Sequence, residues 1–292
     1  MLMPCKEINT ALKSTLATKV TSLIAGGVHP RLLAVIIGDS PAQESYIRIK
    51  RRIAGELGID FVLWQDHEVS SVESLIERLR AKIEETNPHG VLIQQPLPAG
   101  FDPKVIFSHI DASVDIEGVA NDTYLFPLVQ AALIGLSFAY DQTKINFELP
   151  ATLEPHIIEW LRGKKMVIGG RGATSGAPVA RYFDSMQIPY TMTHSQTVGA
   201  DEIYRSADII VSGVGKRVIH AGNIKNGVVL LNFGLRQERI GDQNILKGDY
   251  EESDIASVAS VYTGTPGGLG PIDVTCMFAN VVEAAEKKVM KL

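Results

Sequence analysis

The stretch Val167–Ala180, "VIGGRGATSGAPVA", decides the fold of the second half of this chain. It follows the strand-like "KKMVIGG" (164–170) and opens the helix-like "APVARYFDSM" (177–186), which is the setting a dinucleotide-binding turn requires. Gly170, Gly172 and Gly176 give the spacing G-x-G-x-x-x-G, one residue longer than the commonest form. The physical need is the same: backbone must approach a pyrophosphate without Cβ atoms in the way, and a helix start supplies free N–H groups and a positive dipole. Outward from this turn come strand 190–195, helix 200–207, strand 208–215 and strand 227–235. That succession predicts a doubly wound α/β domain. After its second strand an acid usually grips the ribose hydroxyls, but here stands "THSQT" (193–197), while Arg171 inside the turn can pair with a 2'-phosphate. NADP is the expected cofactor, with NAD the second option.

The first half alternates in the same way. "RLLAVIIGD" (31–39) is a strand buried on both faces, and Pro41 starts a helix with Tyr46, Ile49 and Ile53 at helical spacing up to Gly58. Strand "DFVLWQD" (60–66), amphipathic helix 71–86 and strand "GVLIQQPLP" (90–98) follow. "YLFPLVQAALIGLSFAY" (124–140) is interrupted by Pro127, Gln130, Gly135 and Ser137 and reads as a buried helix, not a membrane span. The polar "DQTKIN" (141–146) sets a seam near Pro150. The expected fold is α/β with two domains: an N-terminal catalytic domain, 1–149 plus 272–292, and a Rossmann-type NAD(P)-binding domain, 150–271, with a cleft between them.

Composition excludes several classes. With 45% hydrophobic and 21% charged residues, neither disorder nor a fibre is a sensible reading. A net charge of -5 argues against nucleic acid, which needs a basic face. Cys5 and Cys276 belong to no metal-ligand cluster and suit the cytosol as free thiols. The start, "MLMPCKEINTALKSTLATKV", has no long apolar run of the signal-peptide kind. No metal, membrane or nucleic-acid partner is expected.

"ESYIRIK" (44–50) sets Tyr46 one helical turn from Lys50. Such a pair is usually packing plus a snorkelling lysine. In short-chain dehydrogenases it follows the nucleotide turn, but here it precedes it, so that family is excluded.

Taken in order, "GDSPAQESYIRIK", "GVLIQQPLP", "VDIEG", "PAT", "GGRGATSGAP", "HSQT", "KGD" and "TPGGLGPIDVT" resemble methylenetetrahydrofolate dehydrogenase/cyclohydrolase over nearly the whole chain. The resemblance implies NADP-dependent oxidation of 5,10-methylenetetrahydrofolate to the 5,10-methenyl form and its hydrolysis to 10-formyltetrahydrofolate. It also implies a cytoplasmic homodimer of one-carbon metabolism and purine biosynthesis. The implied catalytic residues are Lys50, Tyr46, Gln94 and Glu117. Lys50 would act as base toward water, a role open to a partly desolvated lysine facing a cation. Gln94 would orient the lysine and Tyr46 would lie against the pterin. The cofactor would touch Thr152, Gly170, Arg171, Gly172, Thr174, Ser175, Gly176, His194, Ser195, Gly234 and Leu235. Folate would touch Tyr46, Gln94, Glu117, Pro266, Gly267 and Asp273.

Several positions depart from the family pattern. Glu117 replaces an aspartate, Gly172 a serine, Gln43 a serine, Asn232 an aspartate and Asp273 a threonine, and 119–149 matches poorly. The sequence therefore leaves two alternatives standing: one activity alone, with cyclohydrolase the better preserved, or binding of folate or nucleotide without turnover.

Overall fold

The computed structural model describes residues 1–38, 41–67, 71–241 and 243–290. Asp39, expected to close the first strand, and Lys291 and Leu292, expected to end the N-terminal catalytic domain's second segment, lie outside the described residues. Two compact units emerge, one of Met1–Ala11 with Leu128–Asp273, the other of Leu12–Pro127 with Val274–Leu292.

The unit that holds the N-terminal motifs is built on a three-stranded parallel sheet in the order β2-β1-β3. Its strands are β1 (Arg31–Ile37), β2 (Asp60–Asp66) and β3 (Gly90–Ile93). Central β1 is buried from Leu32 to Ile37, as a strand covered on both faces must be. It pairs Arg31 with Asp60 on one side and Leu32 with Gly90 on the other. Leu33, Val35, Leu75, Leu79, Val91 and Phe107 form its core, each such side chain contributing roughly 1.5–3 kcal/mol on burial. Helix α1 (Cys5–Ala25) leads in, α2 (Pro41–Leu57) joins β1 to β2, and α3 (Val72–Thr86) joins β2 to β3. α3 shows its end signals plainly: Ser71 caps the start by accepting from the Ser74 N–H, and Asn87 closes the end in the left-handed region. Short α4 (Pro103–Phe107) and a 3-10 turn at Ala112–Val114 follow.

Strand β3 stops at Ile93, not at the proline end of "GVLIQQPLP". The Gln94 N–H still donates to Val35 O, but beyond it the backbone leaves the sheet and its carbonyls turn to a side chain of α2. α2 also differs from its sequence reading. Its buried members are Gln43, Ile47, Ile53, Ala54 and Leu57, while Tyr46 and Ile49 are 49% and 47% exposed.

The other unit carries a five-stranded parallel sheet in the order β10-β7-β6-β4-β5. The strands are β4 (Met166–Gly169), β5 (Tyr190–Thr193), β6 (Ile209–Ser212), β7 (Val229–Asn232) and β10 (Val261–Tyr262). Counted within this unit the order is the doubly wound 2-1-3-4-5, whose direction reverses between β4 and β6. Helices α5 (Pro127–Tyr140), α6 (Pro155–Arg162), α7 (Gly176–Ser185), α8 (Ala200–Ser206) and α9 (Glu252–Ile255) accompany the sheet. α5 is buried from Pro127 to Ala139. A Cβ on its Gly135 would stand 3.0 Å from the Leu231 side chain, so the helix lies close against β7. This contact explains why Leu128–Leu149 groups with the second sheet. An antiparallel hairpin of β8 (Arg236–Ile240) and β9 (Gln243–Lys247) was not expected from the sequence.

α10 (Leu269–Met290) is the last helix. Within the unit that includes the first sheet, its Asn280 amide donates to Ile116 O at 2.7 Å and Leu125 O at 2.9 Å. No helix among the described residues is long and apolar enough to cross a membrane, and no His/Cys/Asp/Glu group among them could hold a metal.

Candidate active site

Lys50 and Gln94 come together. Lys50, half-buried on α2, donates from Nζ to Gln94 Oε1 at 2.8 Å. Because an ammonium or amine N–H can only donate here, it fixes which way the Gln94 amide faces. The Gln94 Nε2 then donates to Gln95 O at 2.8 Å, and Gln94 is 8% exposed. Tyr46 stands one turn earlier with its ring open to solvent beside exposed Ile49.

Glu117 is half-buried on the turn that follows Asp115. Its neighbour Ile116 packs against Gly90, where a Cβ would come within 2.7 Å, at the end of β3 opposite Gln94. Asp115 builds this turn: fully buried, it accepts from the N–H groups of Val119 (3.0 Å) and Ala120 (2.9 Å) and from the Asn121 amide (2.9 Å). Burial raises its pKa against the pull of those hydrogen bonds. The hydrogen bonds around Lys50 and Gln94 do not include Glu117.

In the doubly wound unit the glycine-rich turn leaves β4 where the strand order reverses, the place such sheets bind ligands. Gly170 has φ +92, and a Cβ on it would lie 2.8 Å from Gly213 O. A Cβ on Gly172 would lie 2.6 Å from Ser175 Oγ, and one on Gly176 only 1.9 Å from Gly170 O. Backbone therefore demands glycine at 170, through the loop after β6, and at 176, through the turn itself, whereas the Ser175 hydroxyl beside Gly172 can rotate away. Arg171, Gly172, Ala173 and Thr174 are exposed, and their N–H groups make no hydrogen bond among the described residues. Ser175 heads α7 without capping it through its side chain. An exposed run of free N–H groups at a helix start fits a phosphate.

The loop after β6 is arranged the opposite way. Asp249, fully buried, accepts from Ser212 Oγ at 2.5 Å and from the N–H groups of Val214 (2.8 Å), Gly215 (2.8 Å) and Lys216 (3.1 Å). An internal carboxylate fills this anion seat, so the β4 turn is the one left open. Asp249 explains Gly234 too, since a Cβ there would lie 2.1 Å from its carboxylate. Asn232 donates to Gly234 O (2.9 Å) and Thr265 Oγ1 (3.1 Å) and accepts from the Asp249 N–H (3.2 Å). An aspartate could not make the two donations.

The remaining predicted residues are scattered around these loops. Thr193, at the end of β5, is buried and bonds Tyr204 OH at 2.8 Å. His194 follows half-buried and Ser195 exposed, with the Gln196 N–H donating to His194 Nδ1 at 3.2 Å. Thr152, Leu235, Pro266 and Gly267 are exposed and Asp273 is half-buried. Thr152 lines a cavity of about 390 Å³ with Ser137, Lys144, Phe147 and Glu154.

Comparison with known proteins covers both units. The tetrahydrofolate dehydrogenase/cyclohydrolase catalytic-domain model matches residues 3–117, and the NAD(P)-binding-domain model of the same family matches 152–289. The bifunctional protein FolD of Delftia acidovorans (strain DSM 14801 / SPH-1) is 31% identical over 288 residues, 98% of each chain.

The chain belongs to the tetrahydrofolate dehydrogenase/cyclohydrolase family.

Among solved structures of this family, the bifunctional FolD methylenetetrahydrofolate dehydrogenase/cyclohydrolase from Campylobacter jejuni has a TM-score of 0.84 at 23% identity, covering 99% of both chains. That of Trypanosoma brucei, complexed with NADP cofactor and inhibitor, has a TM-score of 0.79 at 23% identity, covering 99% of this chain and 98% of its own. At this identity they speak for the fold. Residues 118–151 fall between the two family-model matches. Within the family's catalytic domain, Gln43 was named by the sequence only as a departure, and the structure adds that it is fully buried against the Gln94 backbone. Asp249 belongs to the quoted "KGD", yet nothing in that tripeptide revealed that its four donors come from residues 33–37 positions earlier.

Proposed function

We propose that this protein oxidises 5,10-methylenetetrahydrofolate with NADP and hydrolyses the resulting methenyl group to 10-formyltetrahydrofolate. The observation that carries the reading is the 2.8 Å hydrogen bond from Lys50 Nζ to Gln94 Oε1. Gln94, its own amide fixed by Gln95 O, holds the Lys50 amine in one direction, and as a base it would take a proton from water attacking a methenyl carbon. An arginine at 50 would stay charged and could not. Exposed Tyr46 offers a flat face for a pterin ring, and the Glu117 carboxylate is assigned to the pterin's polar edge. Pro266, Gly267 and Asp273 complete the folate contacts.

NADP, when bound, accepts the hydride that leaves the methylene bridge. The free N–H groups of Arg171, Gly172, Ala173 and Thr174 would take its pyrophosphate, and the exposed Arg171 guanidinium its 2'-phosphate. Thr152, Ser175, His194, Ser195, Gly234 and Leu235 are assigned to the rest of the nucleotide. Two buried free thiols, with Cys5 held protonated by burial, suit a reducing compartment. We take the protein as a cytoplasmic homodimer.

A Lys50→Met variant tests the lysine's role. Ring opening should fall at least about a hundredfold, the usual contribution of a positioned base, while NADP affinity stays within about twofold. Unchanged ring opening would refute the assignment.

A further inference from the structure

The buried stripe of α2 contains one residue that does not belong in a core. Gln43 is 0% exposed, in line with Ile47, Ala54 and Leu57, and Lys50 lies half-buried on the same stripe. Its Nε2 donates to Gln94 O at 3.0 Å and also to Pro96 O. Its Oε1, with less than 1 Å² exposed, accepts no hydrogen bond among the described residues. The orphan follows from the double donation: both partners are carbonyl oxygens, so the NH₂ must face them and the oxygen must face away. A buried acceptor without a donor works against folding. An apolar side chain would avoid that cost, and such local penalties concentrate where a site needs a particular geometry.

What the arrangement secures is the backbone on both sides of the Gln94–Pro96 bend. After β3 ends at Ile93 no ladder holds these carbonyls, and Gln43 is the donor brought to them. The side chain of the same Gln94 then receives Lys50 at 2.8 Å. Two residues of one helix, two turns apart, therefore grip one strand end, Gln43 by its backbone and Lys50 by its side chain.

We propose that Gln43 is a positioning residue for the reaction, fixing Gln94 so that its amide oxygen aims Lys50. This rests on the folate reading above, but half of its test does not need turnover. In Gln43→Leu, which removes both donations and the orphan oxygen together, kcat for ring opening should fall about tenfold to a hundredfold, the range for a displacement near 1 Å. The folate KM and the NADP Kd should stay within about threefold. In protein labelled with 13C at the lysine ε-carbons, the Lys50 resonance, identified by its loss in Lys50→Met, should stand apart in the wild type and move to the position of solvent-exposed lysines in Gln43→Leu. Gln43→Met serves the same comparison should the leucine variant fail to fold. An unmoved Lys50 resonance in the folded variant overturns the proposal, whether kcat is unchanged or falls in step with thermal stability. Absence of turnover in the wild type would sink the folate reading, and the resonance would still decide on Gln43.

Discussion

Replacing Asp249 with alanine puts the architecture of the nucleotide-binding unit to a quantitative test. The carboxylate is fully buried and is the acceptor for four donors, the hydroxyl of Ser212 and the N–H groups of Val214, Gly215 and Lys216. The three N–H groups are only partly buried and water can reach them, so each is counted at the low end, about 1 kcal/mol, and the hydroxyl the same. The sum is roughly 4 kcal/mol, a large share of the ~5–15 kcal/mol that holds a domain together. For a unit of roughly 150 residues that lowers the melting temperature by about 8–16 °C. Asp249→Asn keeps the shape and one pair of acceptances but sets an NH₂ against the Val214 N–H, so about half the loss is expected. NADP affinity should drop in both variants, because Gly213, in the same loop, packs against Gly170 of the phosphate turn. Scanning calorimetry with and without NADP gives all three quantities. An alanine variant that melts within about 2 °C of the wild type would refute the claim that Asp249 organises this loop.

Arg171→Ala should weaken NADP about tenfold, the worth of one exposed charge-assisted hydrogen bond, and leave NAD within about threefold; equal weakening in titration calorimetry would count against a 2'-phosphate contact. His89 supplies a pH dependence. Its Nδ1 accepts from the Arg31 N–H at 3.1 Å, and burial, reinforced by Lys288 and Arg31, depresses its pKa to about 4. A depressed imidazole stabilises the fold above its ordinary value near 6.5 and loses that contribution as the pH falls toward 4. Denaturant midpoints should therefore drop across that window in the wild type and drop less in His89→Gln.

The elements legible in the sequence are those whose information is local. β1 reads as a buried parallel strand because six consecutive apolar residues need cover on both faces, and α3 because Ser71 and Asn87 punctuate an apolar stripe. The turn Gly170–Gly176 is legible because its glycine spacing sits between a strand and a helix in one short segment, although the atom that crowds Gly170 is Gly213 O, 43 positions later. The hairpin β8–β9 was hidden because "RQERI" and "QNILK" carry few apolar residues, and its support comes from Arg236 reaching Gly248 O, Glu238 and Glu251. β10 has only two residues, too few for any period to show. In the candidate site, Lys50 and Gln94 were found through family motifs, not through periodicity. Gln43 had a signal of its own, a polar residue in line with Ile47, Ala54 and Leu57, but its partners lie 51 and 53 residues further along and only the fold brings them near.

The central claim is that one protein performs both steps. Purified wild-type protein with 5,10-methylenetetrahydrofolate and NADP, followed at the absorbances of reduced nicotinamide and of the methenyl intermediate, tests it most directly. The account predicts reduced nicotinamide forming as the methenyl signal rises and then decays to the 10-formyl product. No reduction of either NADP or NAD, or a methenyl signal that decays no faster than without protein, would contradict it.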